Sequence, residues 1–263
     1  MQKLYPLFSG STGNSYFLGD KESGILIDAG KNCKQITLAL ELCEIPVTAV
    51  KAIILTHEHV DHVGALRVFA KKNKIPAYCS FGTRNALVKS KVADGSFYIE
   101  VIENEIELAG MKIKTFPISH DCEHGVGFRI TVNDKILAFA TDLGFLSDEV
   151  KQGVLGSDFC VIESNHDVGM LQMGEYPYVL KKRILSQIGH LSNEDCSNFL
   201  PYMYENGTKN FLLAHLSAEN NSPIIAFESA VCAMKIKGYE IDTDYKLYVA
   251  NPRNSSGKGI ELG

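Results

Sequence analysis

Short apolar runs alternate along the chain with stretches whose apolar residues recur every three or four positions. The runs predict strands over residues 16–19, 25–28, 52–56, 76–80, 112–117, 127–132, 135–142, 159–163, 210–214 and 246–249. The amphipathic stretches predict helices over 33–43, 63–72, 82–89, 178–188, 193–204 and 223–234. In the first half the strands pair through tight turns, as at Asn133-Asp134, and in the second half strand and helix alternate. That order predicts an α/β (α+β) protein with mixed sheets and helices packed outside them. No composition break, repeat or linker divides the chain, so residues 1–263 read as one domain.

The polar residues that interrupt this pattern sit where strands end. ILIDAG closes on Asp28, FPISHDCEHG on His120, ILAFATDLG on Asp142, FCVIESNHD on Glu163 with His166 behind it, and NFLLAHLS on His215. A single aspartate after a strand is ordinarily a turn former or helix cap, and a single histidine is ordinarily structural. Six strand ends carrying Asp, Glu or His make a set, and a set suggests ligands delivered to one sheet edge. The sixth is the densest: THEHVDH at 56–62 holds three of the chain's eight histidines. His57 and His59, two apart in extended chain, project to one side, whereas Glu58 and Val60 point away. Asp61 and His62 follow as the chain turns into the predicted helix and approach the same cavity from another direction. Two clusters of ligand directions suit two metal ions, unlike HExxH, where histidines one helical turn apart bind a single zinc.

The bulk numbers narrow the setting. A net charge of −5 argues against a generally basic nucleic-acid-coating protein, leaving room for a local patch. No run approaches a membrane span, and MQKLYPLFSG lacks the pattern of a signal peptide. The seven cysteines are scattered and never spaced CxxC, which fits reduced thiols in a cytoplasmic protein. Nothing in the pattern specifies an oligomeric state.

With His57, His59, Asp61 and His62 as HxHxDH, and with Asp28, His120, Asp142 and His215 in order around it, the chain resembles the metallo-β-lactamase superfamily over residues 14 to about 220. The resemblance implies a four-layer αββα sandwich. It implies that His57, His59 and His120 hold one metal, that Asp61, His62 and His215 hold a second, that Asp142 bridges them, and that Asp28 orients the histidine loop. GHLSNEDC around His190 and VIES around Glu163 look like the catalytic-histidine and acidic motifs of the tRNA 3′-processing and β-CASP nucleases. The chain is too short for a β-CASP insert and lacks the tRNA-processing arm. FSGSTGNSYFL, SHDCEHGVGF, ESNHDVGML, YPYVLKKRILSQIGHLSN and AHLSAENNSP resemble the small YycJ/WalJ-like family, which implies a metal-dependent 5′-exonuclease with DNA as partner.

Imidazoles with carboxylates suit Zn²⁺, Mn²⁺ or Fe²⁺. Two divalent ions about 3.5–4 Å apart can hold a bridging water and lower its pKa towards roughly 7, which suits phosphodiester hydrolysis. Asp61 would orient that nucleophile, and His190, steered by Glu163, would protonate the leaving group. The alternative for His190 is a cap on the helix beginning near Asn193. His166 could contact substrate phosphate, support a ligand or be structural, and Asn220, with Asn221 and Ser222, could line the cavity. His124 reads as a surface turn. SGSTGNS at 9–15 is a phosphate-binding loop or a hairpin turn, and Lys181, Lys182 and Arg183 track a nucleic-acid backbone or form a solvated helix face. A small-molecule phosphodiesterase, a thioester or lactone hydrolase, and a catalytically silent scaffold compete with the nuclease reading; the GHLS and AHLS pair favours phosphodiesters.

Overall fold

The computed structural model describes residues 2–262. Its first half contains β1 (Lys3–Phe8), β2 (Ser15–Gly19), β3 (Gly24–Ile27), α1 (Cys33–Leu42), β4 (Val50–Ile54), α2 (Val60–Val63), α3 (Leu66–Asn73), β5 (Ala77–Cys79), α4 (Phe81–Lys89), β6 (Ile99–Val101), β7 (Glu105–Leu108), β8 (Met111–Pro117) and β9 (Val126–Val132). It continues through β10 (Lys135–Ala140), α5 (Asp148–Val154), β11 (Phe159–Glu163), α6 (Val168–Met173), α7 (Tyr178–Ile184), α8 (Asn193–Glu205), β12 (Asn210–Ala214), α9 (Pro223–Ile236), β13 (Lys246–Val249) and β14 (Ile260–Glu261).

The strands form two seven-stranded sheets, ordered β14-β1-β2-β3-β4-β5-β6 and β13-β12-β11-β10-β9-β8-β7. Both are mixed: β1 to β3 and β7 to β10 pair antiparallel, whereas β3 to β6 and β10 to β13 pair parallel. The two-residue period explains the layering. In β2, Tyr16 and Leu18 face the space between the sheets, and Phe17 faces the helices outside. In β10 and β11, Leu137, Phe139, Phe159 and Val161 point inward, and Ala138, Ala140, Cys160 and Ile162 outward. Strands apolar on both faces must be covered on both, which yields the αββα order. Tyr16 meets Phe139 edge-on across the sheets at 4.9 Å, and each such fully buried side chain contributes about 1.5–3 kcal/mol.

Some elements depart from the sequence-based expectation. The edge strands β6 and β7 alternate apolar residues with exposed glutamates in runs too short to stand out, and β1, β14, α5 and α6 were likewise not expected. The helix expected over 63–72 is two helices, and Asp61 and His62 belong to the first. The break follows from pairing with the loop after β3: Ala29 donates to the His62 carbonyl at 2.7 Å, and Ala65 donates to that of Ala29 at 2.8 Å. Gly30 makes this approach possible, because a Cβ there would lie 1.5 Å from the Asp61 carbonyl oxygen. The helix expected over 178–188 stops at Ile184. No helix among the described residues is long and apolar enough to cross a membrane.

Candidate metal centre

The functional side chains gather along one edge shared by both sheets. Asp28, Asp142 and His215 lie just past β3, β10 and β12, each with left-handed backbone (φ 59°, 60° and 56°). That conformation costs a non-glycine residue about 1–2 kcal/mol. Here it recurs at three site positions, turning each chain sharply as it leaves its strand.

Five imidazoles are then aimed by partners outside the cluster. The Nδ1 of His57 lies 3.0 Å from Thr56 Oγ1, and the Nδ1 of His62 lies 2.8 Å from Asp28 Oδ2. His120 offers Nδ1 to the Gly189 carbonyl at 3.1 Å, and His215 offers Nδ1 to Glu163 Oε1 at 2.7 Å. His59 uses the other nitrogen, Nε2, on the Asp121 carbonyl at 3.2 Å. Each ring thereby spends one nitrogen on an outer acceptor and turns the other towards its neighbours in the cluster, the side on which a cation would be held. Asp28 is fully buried and also accepts from the Thr56 N–H and hydroxyl, both at 2.8 Å.

The freed atoms converge. His57, His59 and His120 form one group, and Asp61, His62 and His215 form another; within each, one donor atom per residue lies within 4.8 Å of the others. Asp142 stands between them, with Oδ2 3.4 Å from His62 Nε2 and Oδ1 3.9 Å from His120 Nε2. His57 Nε2, His215 Nε2 and Asp142 Oδ2 are buried without a hydrogen-bond partner among the described residues. Buried polar atoms are ordinarily satisfied, so these three fit a missing cation, and the donor chemistry suits a divalent metal.

The electrostatics agree. Burial opposes ionisation of Asp142, but His215, His62 and His57 outweigh it and hold the carboxyl well below its ordinary range. Asp61 is lowered in the same way, against burial, by the neighbouring His215 and His62 imidazoles, whose Nε2 atoms lie 3.7 and 3.3 Å from its Oδ2. In return, and again against burial, the carboxylates raise His62 and lift His215 to about 10, Asp142 contributing most to both. Burial, aided by His62, keeps His57 well below its ordinary value. A cation bound here would supply positive charge to these carboxylates and so displace protons from the imidazoles whose pKa they raise.

Glu163 and His190 form a distinct pair. Glu163 Oε1 accepts from His190 Nδ1 at 2.9 Å as well as from His215, and Oε2 accepts from the N–H groups of Leu143 and Leu191 at 2.7 and 3.0 Å. With both oxygens committed, Glu163 serves as an anchor for two histidines, although it lies close enough to Asp142 and His215 to be grouped with them as a ligand. The helix that His190 might have capped begins instead on Ser192, whose hydroxyl accepts from Asp195 N–H.

His166 and Asn220 fall outside the convergent groups. His166 Nδ1 faces Asn165 Oδ1 at 3.3 Å, and the Asn220 carbonyl holds Asp167 N–H at 2.9 Å. His124 is exposed, as expected. The 181–183 run is spent locally: Lys181 bonds the carbonyls of Gln172 and Gly174, Lys182 lies over Tyr178, and Arg183 grips both oxygens of Asp121. Residues 9–14 form the β1–β2 hairpin loop, yet they also touch the site. Asn14 Nδ2 donates to Asp61 Oδ2 at 3.3 Å, and Ser9 Oγ accepts from His215 N–H at 2.9 Å. Asn14, Thr56 and Asp121 were not singled out from sequence, and Arg183 was read as part of the basic run and not as the partner of Asp121; THEHVDH and SHD, which carry Thr56 and Asp121 beside a histidine, offered the only signal for those two.

Asp28→Asn is expected to weaken divalent-metal affinity by roughly 10–100-fold, because an amide cannot accept from Thr56 N–H, Thr56 Oγ1 and His62 Nδ1 together. Competition against a chelating dye measures it, and unchanged affinity would contradict the tethering role.

A β-lactamase superfamily domain model matches residues 24–215. Exodeoxyribonuclease YycJ of Bacillus anthracis is 35% identical over 251 residues, covering 94% of this chain and 94% of that protein. Exodeoxyribonuclease WalJ of Streptococcus pneumoniae is 35% identical over 250 residues, covering 94% and 93%. Among solved structures, Zn²⁺-bound PqqB from Methylobacterium extorquens matches with a TM-score of 0.70 at 17% identity, over 95% of this chain and 98% of that one. The structural likeness is one of fold, in accord with the two helix-flanked sheets.

Proposed function

The chain belongs to the β-lactamase superfamily and, within it, to the family of the YycJ and WalJ exodeoxyribonucleases, and from that premise we propose that it is a dinuclear-metal phosphodiesterase that removes nucleotides from DNA ends. The observation that carries this reading is the convergence of outward-tethered imidazoles about Asp142: His57, His62, His120 and His215 approach it, and His59 joins through His57 and His120. His57, His59 and His120 would hold one divalent ion and Asp61, His62 and His215 the other, with Asp142 shared. Zinc or manganese fits the ligands best, and iron(II) is compatible.

When bound, such a pair of ions supplies positive charge to the phosphoryl oxygens and acidifies water. The chain's own residues do the rest. Asp61, partly open to solvent, faces the substrate side and orients the attacking water. Glu163 fixes His190 through Nδ1, which leaves Nε2 to pass a proton to the departing 3′-oxygen. This step distinguishes a diester, whose alkoxide needs a proton to leave, from a thioester, whose thiolate departs without one. The shared core between the sheets supports reading residues 1–263 as one domain. Seven free thiols suit a reducing compartment, and the cytoplasm is the proposed location.

Metal analysis followed by digestion of 5′- and 3′-labelled single- and double-stranded oligonucleotides tests the reading, with bis-p-nitrophenyl phosphate and a thioester assayed alongside. We expect metal-dependent release of nucleotides from the 5′ end, abolished by EDTA and by Asp61→Ala. Full nuclease activity under either condition would sink it.

A further inference from the structure

We propose that the outer face of α3 is the track along which the uncut part of a single DNA strand lies. The proposal rests on the nuclease reading, and it adds where the rest of the substrate binds. The groove starts at Val60, which is 79% exposed and stands between the two site residues His59 and Asp61. From there three adjoining pockets of about 380, 670 and 410 Å³ run beside α3. The first two share Arg67 and Val68, and the second and third share Lys71 and Ser96, so together they make one continuous depression.

The lining is cationic. Arg67, Lys71, Lys72, Lys74 and Lys91 border the groove, and all five are exposed. Asp94 is the one acid among the lining residues, and it faces Arg67 at 3.6 Å. Among the described residues none of the four lysines takes part in an ion pair; what sets them apart from the other unpaired lysines is that they line one concave strip. A helix with Leu66, Phe69 and Ala70 inward needs a polar outer face, but it does not need one of a single sign. In a chain whose 31 acids outnumber its 26 bases, exposed cations along a concave strip that starts at Val60, between His59 and Asp61 in the chain, call for an anionic polymer. The eight residues of α3 extend about 12 Å, room for roughly two phosphates of an extended strand.

The far end of the groove selects between strand forms. Tyr98, 61% exposed, has its hydroxyl donated to Glu100 at 2.8 Å, and Phe97 lies beside it in the lining. Phe97 packs against the core and backs the site, and the exposed Tyr98 ring at the end of a cationic groove can stack on an unpaired base, which a duplex does not offer.

The test compares two charge reversals of equal size. One variant carries Lys71→Glu, Lys72→Glu and Lys74→Glu. The control carries Lys209→Glu, Lys235→Glu and Lys237→Glu; Lys209 precedes β12, at the end opposite His215. Binding of the metal-loaded protein to a 5′-phosphorylated strand of about twenty thymidines, capped with phosphorothioates, is followed by fluorescence anisotropy across salt concentrations. We expect the groove variant to bind at least tenfold more weakly, with the slope of log K against log salt shallower by about 2. The control should stay within twofold, and metal content and thermal midpoint should match the parent in both. Equal losses in the two variants, or none in the groove variant, would overturn the track; an equal loss on blunt duplex would overturn its single-strand preference. If the parent binds through the groove yet cuts nothing, the nuclease reading fails and the track stands. If it cuts DNA and the groove variant binds normally, the reverse holds.

Discussion

Replacing Asp142 with alanine is expected to slow DNA cleavage by roughly 10³-fold or more, about 4 kcal/mol of lost transition-state stabilisation, and to lower metal content per chain. Asp142 is almost wholly buried, and its two oxygens approach histidines of both ligand groups: His62 Nε2 at 3.4 Å on one side and His120 Nε2 at 3.9 Å on the other. The neighbouring carboxylates are otherwise engaged: Asp28 and Glu163 tether imidazoles, Asp121 is held by Arg183, and Asp61 belongs to one group alone. Alanine would leave neutral and cationic rings facing one another across a cavity with no anion to balance a second cation. Steady-state cleavage together with elemental analysis checks this, and an Asp142→Ala enzyme that retains two metals and normal turnover would refute the bridging role.

His190→Ala is expected to lower kcat on DNA by roughly 10²–10⁴-fold, the usual worth of a positioned general acid. Bis-p-nitrophenyl phosphate, whose leaving phenolate departs without a proton, should lose far less. The contrast follows from geometry. His190 Nδ1 is held by Glu163 Oε1 at 2.9 Å, and its side chain remains partly open to the cleft, unlike that of His215. Glu163→Gln should reproduce part of the effect on DNA and also disturb His215, since both imidazoles share the same oxygen. Parallel kcat measurements on the two substrates decide the matter; equal losses on both would mean that His190 supports the metal centre instead of the leaving group.

Much of this site was legible before any coordinates. Chemistry at strand ends is readable because a strand imposes a two-residue period, and an acid or histidine that terminates an apolar run breaks it visibly. THEHVDH and the lone Asp, Glu and His residues after other strands were found in this way, whereas the pairing of Glu163 with His190 came from the likeness of VIES and GHLSNEDC to nuclease motifs. What escaped depends on contacts distant in sequence. The left-handed turns at Asp28, Asp142 and His215 are imposed by the sheet edge they serve, since none of the three residue types demands positive φ. Thr56 orients His57, and Asp121 orients His59 through a carbonyl, which every residue possesses and no sequence pattern marks. The groove along α3 stayed hidden for a related reason. RVFAKKNK reads as an ordinary solvated helix face until the pockets beside it prove continuous with the lip at Val60. The split between α2 and α3 arises from pairing with Ala29, thirty-odd residues upstream, which periodicity cannot report.

Anomalous scattering from crystals of the metal-loaded protein, collected at the edge of the bound element, addresses the central claim most directly. Two peaks are expected on opposite sides of Asp142, one enclosed by His57, His59 and His120 and the other by Asp61, His62 and His215. A single peak seated on Glu163 and His190, or no peak near Asp142 at full activity, would contradict it.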